Sequence, residues 1–568
     1  MTLHALVRRG VGPLALAMVL TMLALGAFAP VYTDEIGWRL QERAWIDGVD
    51  RPIYPNCGPF SLAIPPWFMM PVRAFGAITN LAWSDPLAIR VAGLSCAALW
   101  FVLLWGLISA ISQKPERAPL FLGAVSLMAL GVLPLMLAMS RPEQPLLLTL
   151  TAALWLTVAA RRAPLDARGV AWRCALLLGL ATIALSYHIK GVIYAPLFAL
   201  AILLVDRKRR HLALRLGAIG ALAGLTIAAA HYWTARFLCP GDPILAAKLA
   251  RENISFLIAS GASPATLLGH AANNADLMDY ARLTRPGPTF MSDWLPPGVI
   301  GAAAAKPWAW LVTRMWKLAL ILLVGGLAAA TVRRLRERRR DGAALPLAAI
   351  LAVTALGWAA LQVNKNAYEA GLILPVLALA LVLLASEFLA IPRARPWLAG
   401  ATALAALAGV ASLALLAATF GPPLAARAAQ PGYIADQPFS VSAYRYAALR
   451  PTVEQAAARC GLRPGQALDG VLLDDVSYFA FAATNRPYYR LGLLQVWSGS
   501  IDNPARFLVD HGSAGAVLRC SDLPPAMRSQ AIATGPICCL DRSRLLAAAR
   551  SRAAQVGDAG LSSPGIRR

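Results

Sequence analysis

Long apolar runs separated by short polar breaks set the rhythm of this chain. They lie near residues 11–31, 87–112, 119–139, 145–160, 174–187, 191–205, 213–233, 307–332, 344–362, 370–390 and 397–420. About 20 apolar residues are enough for a helix to cross a bilayer, and several of these runs are shorter. The stretch from Cys174 to Val205 reads either as one long helix or as a hairpin broken at Tyr187-His188-Ile189-Lys190-Gly191. Charge decides. Arg161, Arg162, Arg168 and Arg173 precede it, and Arg207, Lys208, Arg209 and Arg210 follow it. Basic flanks stay in the cytoplasm, so the chain crosses twice there and eleven helices are expected. The first run follows Arg8 and Arg9 and is long for a signal peptide, so it reads as a retained helix.

The pattern changes between and after the runs. Residues 32–86 and 234–306 form two long non-spanning loops, the first rich in Trp, Pro and Tyr, a composition that suits the membrane interface. Beyond about Gly421 polar and apolar residues mix. Gly470–Asp474, Gly515–Arg519 and Pro536–Leu540 read as short buried strands, with helices near 451–460 and 523–532 and a turn at Arg463-Pro464-Gly465. Three parts are therefore expected. They are a membrane domain over 1–420, a small α/β domain over 421–550, and a disordered basic tail over 551–568.

Composition supports this division. Of 568 residues, 58% are hydrophobic and 14% charged, which marks a polytopic α-helical membrane protein. The net charge of +24 gathers in alternate short segments: Lys114 and Arg117, the groups already named, Arg333 to Arg340, and Arg393 with Arg395. That alternation explains the excess as positive-inside loops, and no motif points to nucleic acid. The same parity puts the N-terminus inside, and both long loops and the C-terminal domain outside. Cys460, Cys520, Cys538 and Cys539 fall in that domain; an oxidising compartment would permit disulfides, and three complete pairings are open.

Polar groups recur at the predicted outer helix ends: Asp34 and Glu35, Arg90, Arg141 and Glu143, His188 and Lys190, and Lys365, Tyr368 and Glu369. Singly, each has an ordinary explanation as a helix-end or snorkelling residue. Together on one side they suggest a shared cavity. Carboxylates there can take a proton from an attacking hydroxyl or hold a divalent metal, and Arg and Lys can neutralise a phosphate leaving group. Asp474 and Asp475 follow an apolar strand and read as loop acids outside the site.

The order of these features resembles the membrane-embedded GT-C glycosyltransferases, in the bacterial branch of protein O-mannosyltransferases and the lipid A aminoarabinose transferase. The resemblance rests on Asp34-Glu35 after the first helix, Pro65-Pro66-Trp67 in the loop, Arg90 opening the second helix, and Ser140 to Pro145. It continues with Lys190-Gly191 before a Pro-containing helix, and with Lys365 and Tyr368 before Leu374-Pro375. It covers about residues 1–390. This sequence departs from the pattern at Ala63 and Ile64, where many relatives carry Lys, and in the distance from Lys365 to Leu374-Pro375.

The resemblance implies sugar transfer from a polyprenyl-phosphate donor to a lipid, glycan or protein acceptor on the periplasmic face of a bacterial inner membrane. Asp34 would be general base, with Glu35 positioning it or helping to hold a divalent metal, the one cofactor entertained. Arg90, Arg141, Lys190 and Lys365 would bind the donor phosphate, with Glu143, His188, Tyr368 and Glu369 as further cavity residues. The alternative is a transporter or lipid flippase, which would sooner show internal repeats and midplane charges.

Overall fold

The computed structural model describes residues 3–27, 29–31, 35–36, 86–161, 165–206, 211–237, 263, 265, 302–337, 342–361 and 367–428, and, in the C-terminal domain, 433–435, 443–466, 470–481, 489–490, 503–510 and 512–556. Each apolar run forms helix. The elements are α1 (Leu3–Ala27), α2 (Pro86–Ile111), α3 (Lys114–Met128), α4 (Leu133–Leu137), α5 (Glu143–Ala160) and α6 (Ala167–Tyr187). They continue with α7 (Lys190–Ile193), α8 (Ala195–Leu204), α9 (Leu212–Phe237), α10 (Ala302–Arg336), α11 (Ala344–Leu361), α12 (Ala367–Leu389) and α13 (Arg395–Ala428). Among the described residues, eight helices are long and apolar enough to cross a membrane, and Ala195–Leu204 and Ala344–Ala359 are shorter apolar helices.

Two helices differ from their expected form. The run at 119–139 is broken: α3 stops at Met128, Gly131 adopts φ 66°, and α4 restarts with Pro134 near its N-terminus. Glycine tolerates that left-handed backbone, and proline suits a first helical turn. The Gly131 amide donates to Ser412 Oγ on α13, so the break is tied to a neighbour. At the other boundary, α13 runs to Ala428, past the expected limit at 420, because helix-forming Ala and Leu continue the pattern beyond Pro423.

Side-chain bonds between helices fix the up-and-down order. At one end Arg161 reaches the Leu204 carbonyl, Arg173 that of Leu156, and Arg215 that of Leu203. Arg334 pairs with Glu387 at 2.6 Å and Arg395 with Glu116 at 3.5 Å. At the opposite ends of the same helices Lys190 meets Glu143, and Trp233 meets the Leu185 carbonyl. These bonds are all compatible with alternate crossings, including the hairpin of α6 and α7–α8. The bundle thus has an arginine-rich end and an end that gathers the expected site groups.

The C-terminal domain is a mixed sheet of order β4-β3-β5-β7-β6 between helices, plus an antiparallel pair of β1 (Tyr433–Ala435) and β2 (Ala443–Arg445). Its other elements are α14 (Tyr446–Arg459), β3 (Val471–Leu473), β4 (Tyr489–Arg490), α15 (Pro504–Asp510) and β5 (Gly515–Arg519). They end with α16 (Pro525–Arg528), β6 (Ile532–Thr534), β7 (Ile537–Asp541) and α17 (Arg542–Val556). Strands β3, β5 and β7 alternate by period two between two cores. Val471, Leu473, Val517, Ile537 and Cys539 face α14, while Leu472, Ala516, Leu518, Cys538 and Leu540 face α15, α16 and α17.

The three expected strands are present. The helix expected over 523–532 shrinks to α16, because Ile532–Thr534 pairs with β7 through a turn at Gly535, φ 56°. Helix α17 also continues to Val556, into the expected tail, on Arg and Ala of high helix propensity. Cysteine pairing is Cys460–Cys539 and Cys520–Cys538. Adjacent residues Cys538 and Cys539 point to opposite faces, so the two bonds act on opposite layers of the domain.

Candidate functional site

The polar assembly at the non-arginine end is built around Arg90, one turn into α2. Its Nε donates to the Ala29 carbonyl at 3.2 Å, Nη1 to that of Ala138 at 2.7 Å, and Nη2 to that of Pro30 at 3.1 Å. Nη2 also pairs with Glu35 Oε1 at 2.8 Å, and the two side chains are only 2% and 0% exposed. Glu35 Oε2 accepts from the Ser140 amide at 2.8 Å. One guanidinium therefore ties the exit of α1, the acidic loop and the α4–α5 turn together. Gly93 permits the approach: a Cβ there would collide with the Ala138 carbonyl, the acceptor of Arg90. Gln144 Nε2 closes the same corner on the carbonyls of Gly93 and Leu137.

Next in the chain, Arg141 grips Glu143, its Nε to Oε2 at 3.0 Å and its Nη2 to Oε1 at 3.1 Å. Glu143 opens α5 after Pro142 and is buried. Lys190 Nζ joins the same carboxylate at 2.7 Å, with side-chain exposure of 5%. Lys190 is delivered by the break between α6 and α7. His188 is extended there, φ −162° and ψ 153°, and its Nδ1 accepts the Lys190 amide at 3.1 Å. A neutral ring accepting at Nδ1 carries its proton on Nε2. The His188 ring lies 6.0 Å from that of Trp233, whose Nε1 bonds the Leu185 carbonyl. Gly191 makes the turn possible, since a Cβ would strike the Ala184 carbonyl.

Glu35, Arg90, Arg141, Glu143, His188 and Lys190 thus form one connected assembly, bridged by Ser140-Arg141. Asp34 and Lys365 lie outside the described residues. Tyr368 and Glu369 lie in the first turn of α12, and their side chains are also outside them. Nearby Gly371 sits against Met136 of α4, which puts that end of α12 on the same side.

Two of the expected site residues are held by protein groups. Arg90, expected on the donor phosphate, donates to three carbonyls and pairs with Glu35. Glu35, expected to position Asp34 or help hold a metal, has one oxygen on Arg90 and the other on the Ser140 amide. Among the described residues, no group of three His, Cys, Asp or Glu could hold a metal. Asp474, expected as a loop acid outside the site, follows β3 and lies apart from the assembly. It is buried, pairs with Arg519 at 3.1 Å, and burial pushes its carboxyl up while Arg519 opposes the shift. Sequence reasoning missed the carbonyl acceptors, the Ser140 amide, Gln144 and Trp233. Backbone acceptors leave no mark on composition; only Gln144, inside the quoted Ser140–Pro145 stretch, had a visible signal.

An apolar cavity of about 580 Å³ lies elsewhere, between α3, α10, α12 and α13, lined by Gly123, Gly325, Ala378, Leu381, Trp397 and their neighbours. Its lining holds none of the assembly's residues.

Fold and site together define a polytopic helical membrane protein with a buried ionic assembly at one end and a disulfide-linked α/β/α domain. No protein-family model matches the chain, and no curated protein matches it. Among solved structures it is similar to the oligosaccharyltransferase AglB of Archaeoglobus fulgidus, in complex with an inhibitory peptide and a dolichol-phosphate. There the identity is 13% and the TM-score 0.44, over 90% of this chain and 69% of the other. It is also similar to ArnT of Cupriavidus metallidurans bound to undecaprenyl phosphate, at 13% identity and TM-score 0.44, over 93% of this chain and 97% of the other.

Proposed function

We propose that this protein is a glycosyltransferase that moves a sugar from a polyprenyl-phosphate donor to an acceptor hydroxyl on the non-cytoplasmic face of the membrane. The observation that carries the reading is the convergence of Arg141 and Lys190 on buried Glu143, joined through Ser140 to the loop that bears Asp34. Two cations meet at the bundle end opposite the arginine-rich end. Glu143 fixes their positions, so both can oppose the charge that develops on a departing phosphate.

In the proposed step the acceptor O–H gives its proton to the Asp34 carboxylate, and the oxygen forms a bond to the anomeric carbon. The bond from that carbon to the phosphate oxygen breaks, and its electron pair leaves with the polyprenyl phosphate. Glu35 and Arg90 act one layer behind, holding the loop. Lys365, Tyr368 and Glu369 are placed by sequence at the same end. The arginine-rich end faces the cytoplasm on this reading, and the two disulfides suit a C-terminal domain in an oxidising periplasm of a bacterial inner membrane.

The test is sugar transfer from radiolabelled polyprenyl-phosphate sugars in membranes, over a panel of donors, with and without chelator. Wild type is expected to transfer label and Asp34→Asn to lose at least about 100-fold, the scale of a general base. Full activity in Asp34→Asn would remove Asp34 from the mechanism. Movement of the lipid across the bilayer without sugar transfer would instead support the flippase alternative, and loss of transfer with chelator would reopen the question of a metal.

A further inference from the structure

The proposed chemistry gives the C-terminal domain no task, yet that domain packs directly beside the ionic assembly. Val31, Ile36 and Ile89 of the membrane part form one buried cluster with Tyr446, Tyr478 and Phe479 of the domain. None of the six is more than 7% exposed. The rings pack on one another: Tyr478 and Phe479 have centroids 4.9 Å apart at 81°, and Tyr446 and Phe479 5.3 Å apart at 55°. Strand β1 also lies against α2.

The three membrane-side members are not scattered. Ile36 follows Glu35, Ile89 precedes Arg90, and Val31 follows Pro30, whose carbonyl accepts from Arg90. Each apolar contact is therefore the sequence neighbour of a group in the Arg90 network. Only residues 32–34 separate Val31 from Glu35, so the cluster and the ion pair together hold both ends of the stretch containing Asp34.

The turn that presents the rings is itself held. Asp474, at the end of β3, accepts the Ser477 amide on Oδ1 at 2.8 Å, and its carbonyl accepts the Tyr478 amide at 3.0 Å. Its Oδ2 accepts from the Arg519 amide at 2.9 Å and from Nε at 3.1 Å. A buried acid that fixes both its own turn and the neighbouring strand β5 makes a stiff support for Tyr478 and Phe479.

We propose that the C-terminal domain is a positioning element for the transfer site, with Tyr478 and Phe479 pressing on Val31, Ile36 and Ile89 to set the Asp34 segment. This rests on the reading of Asp34 as general base. Neither ring need touch substrate. A displacement near 1 Å of a reacting group can cost about 100-fold in rate, so a modest relaxation of the cluster is enough to be seen.

The test uses the full-length protein in lipid nanodiscs, as wild type, Tyr478→Ala, Phe479→Ala and Phe479→Leu. Both alanine variants are expected to lower kcat by about tenfold or more while KM for the donor stays unchanged, since Arg141, Glu143 and Lys190 are untouched. Phe479→Leu should recover part of kcat by refilling the contact. Amide hydrogen exchange over residues 31–36 should rise in the alanine variants, with both disulfides retained. Wild-type kcat and wild-type exchange in both alanine variants would overturn the proposal. If wild type transfers no sugar, the exchange result decides alone: a rise supports positioning while the function reading fails, and no change sinks both. Should the alanine variants lose their disulfides, Phe479→Leu decides, and wild-type kcat and exchange in it would also overturn the proposal.

Discussion

At the scale of single residues, ion pairs with similar partners do different work. Arg90 and Glu35 pair while buried and both also bond backbone groups, which is how a lock is built. Removing one partner leaves a buried charge without compensation, and such losses cost about 3–5 kcal/mol. Arg90→Ala is therefore expected to lower thermal stability markedly, read as a shift in the unfolding midpoint of the purified protein. Lys190 differs because it shares Glu143 with Arg141. Lys190→Gln should keep the fold, raise KM for the donor and lower kcat, whereas Lys190→Arg should retain part of the rate as a charge of the same sign. Equal loss in both variants would point to a positional role for the lysine stem rather than its charge.

At the scale of elements, breaks in helices bring the site together. The α3–α4 break at Gly131 leads into the turn carrying Ala138, Ser140 and Arg141, and the α6–α7 break at His188 delivers Lys190. Gly191 lets α7 press against the last turn of α6, where a larger side chain would meet the Ala184 and Leu185 backbone. Gly191→Val is expected to push Lys190 away from Glu143, cutting transfer activity with a smaller effect on overall helicity. Circular dichroism beside the radiolabel assay checks both halves. Most helices and the main strands were legible in the sequence, because period, length and basic flanks are local signals. The α16–β6 boundary was not: Ile532–Thr534 becomes strand only because β7 is there to pair with it.

At the scale of the whole molecule, the Cys460–Cys539 disulfide and the aromatic contact link three layers: α14, the sheet, and the membrane part. The Cys460–Cys539 bond joins residues 79 apart and fastens the end of α14 to β7. Tyr446, at the start of the same helix, lies in the cluster against Ile36. Replacing both Cys460 and Cys539 by Ala is expected to cost about 2–5 kcal/mol of domain stability. Unfolding curves of the full-length protein measure this, and an unchanged midpoint would argue that the bond adds nothing to the domain.

What the amino-acid sequence determined alone was the segmental plan: apolar runs, their alternate crossings, the small α/β domain, and the polar groups expected at one end of the bundle. Hydropathy and charge act locally against water and lipid, so they can be read one segment at a time. Only the tertiary structure decided which cysteines pair and which cations share a carboxylate. It also decided that Arg90 and Glu35 lock each other while Arg141 and Lys190 meet on Glu143, and that three aromatic rings of a distant domain pack with Val31 and Ile36. Those outcomes depend on carbonyls, amides and apolar faces that become neighbours only when residues up to several hundred positions apart are packed together. No residue carries that information by itself.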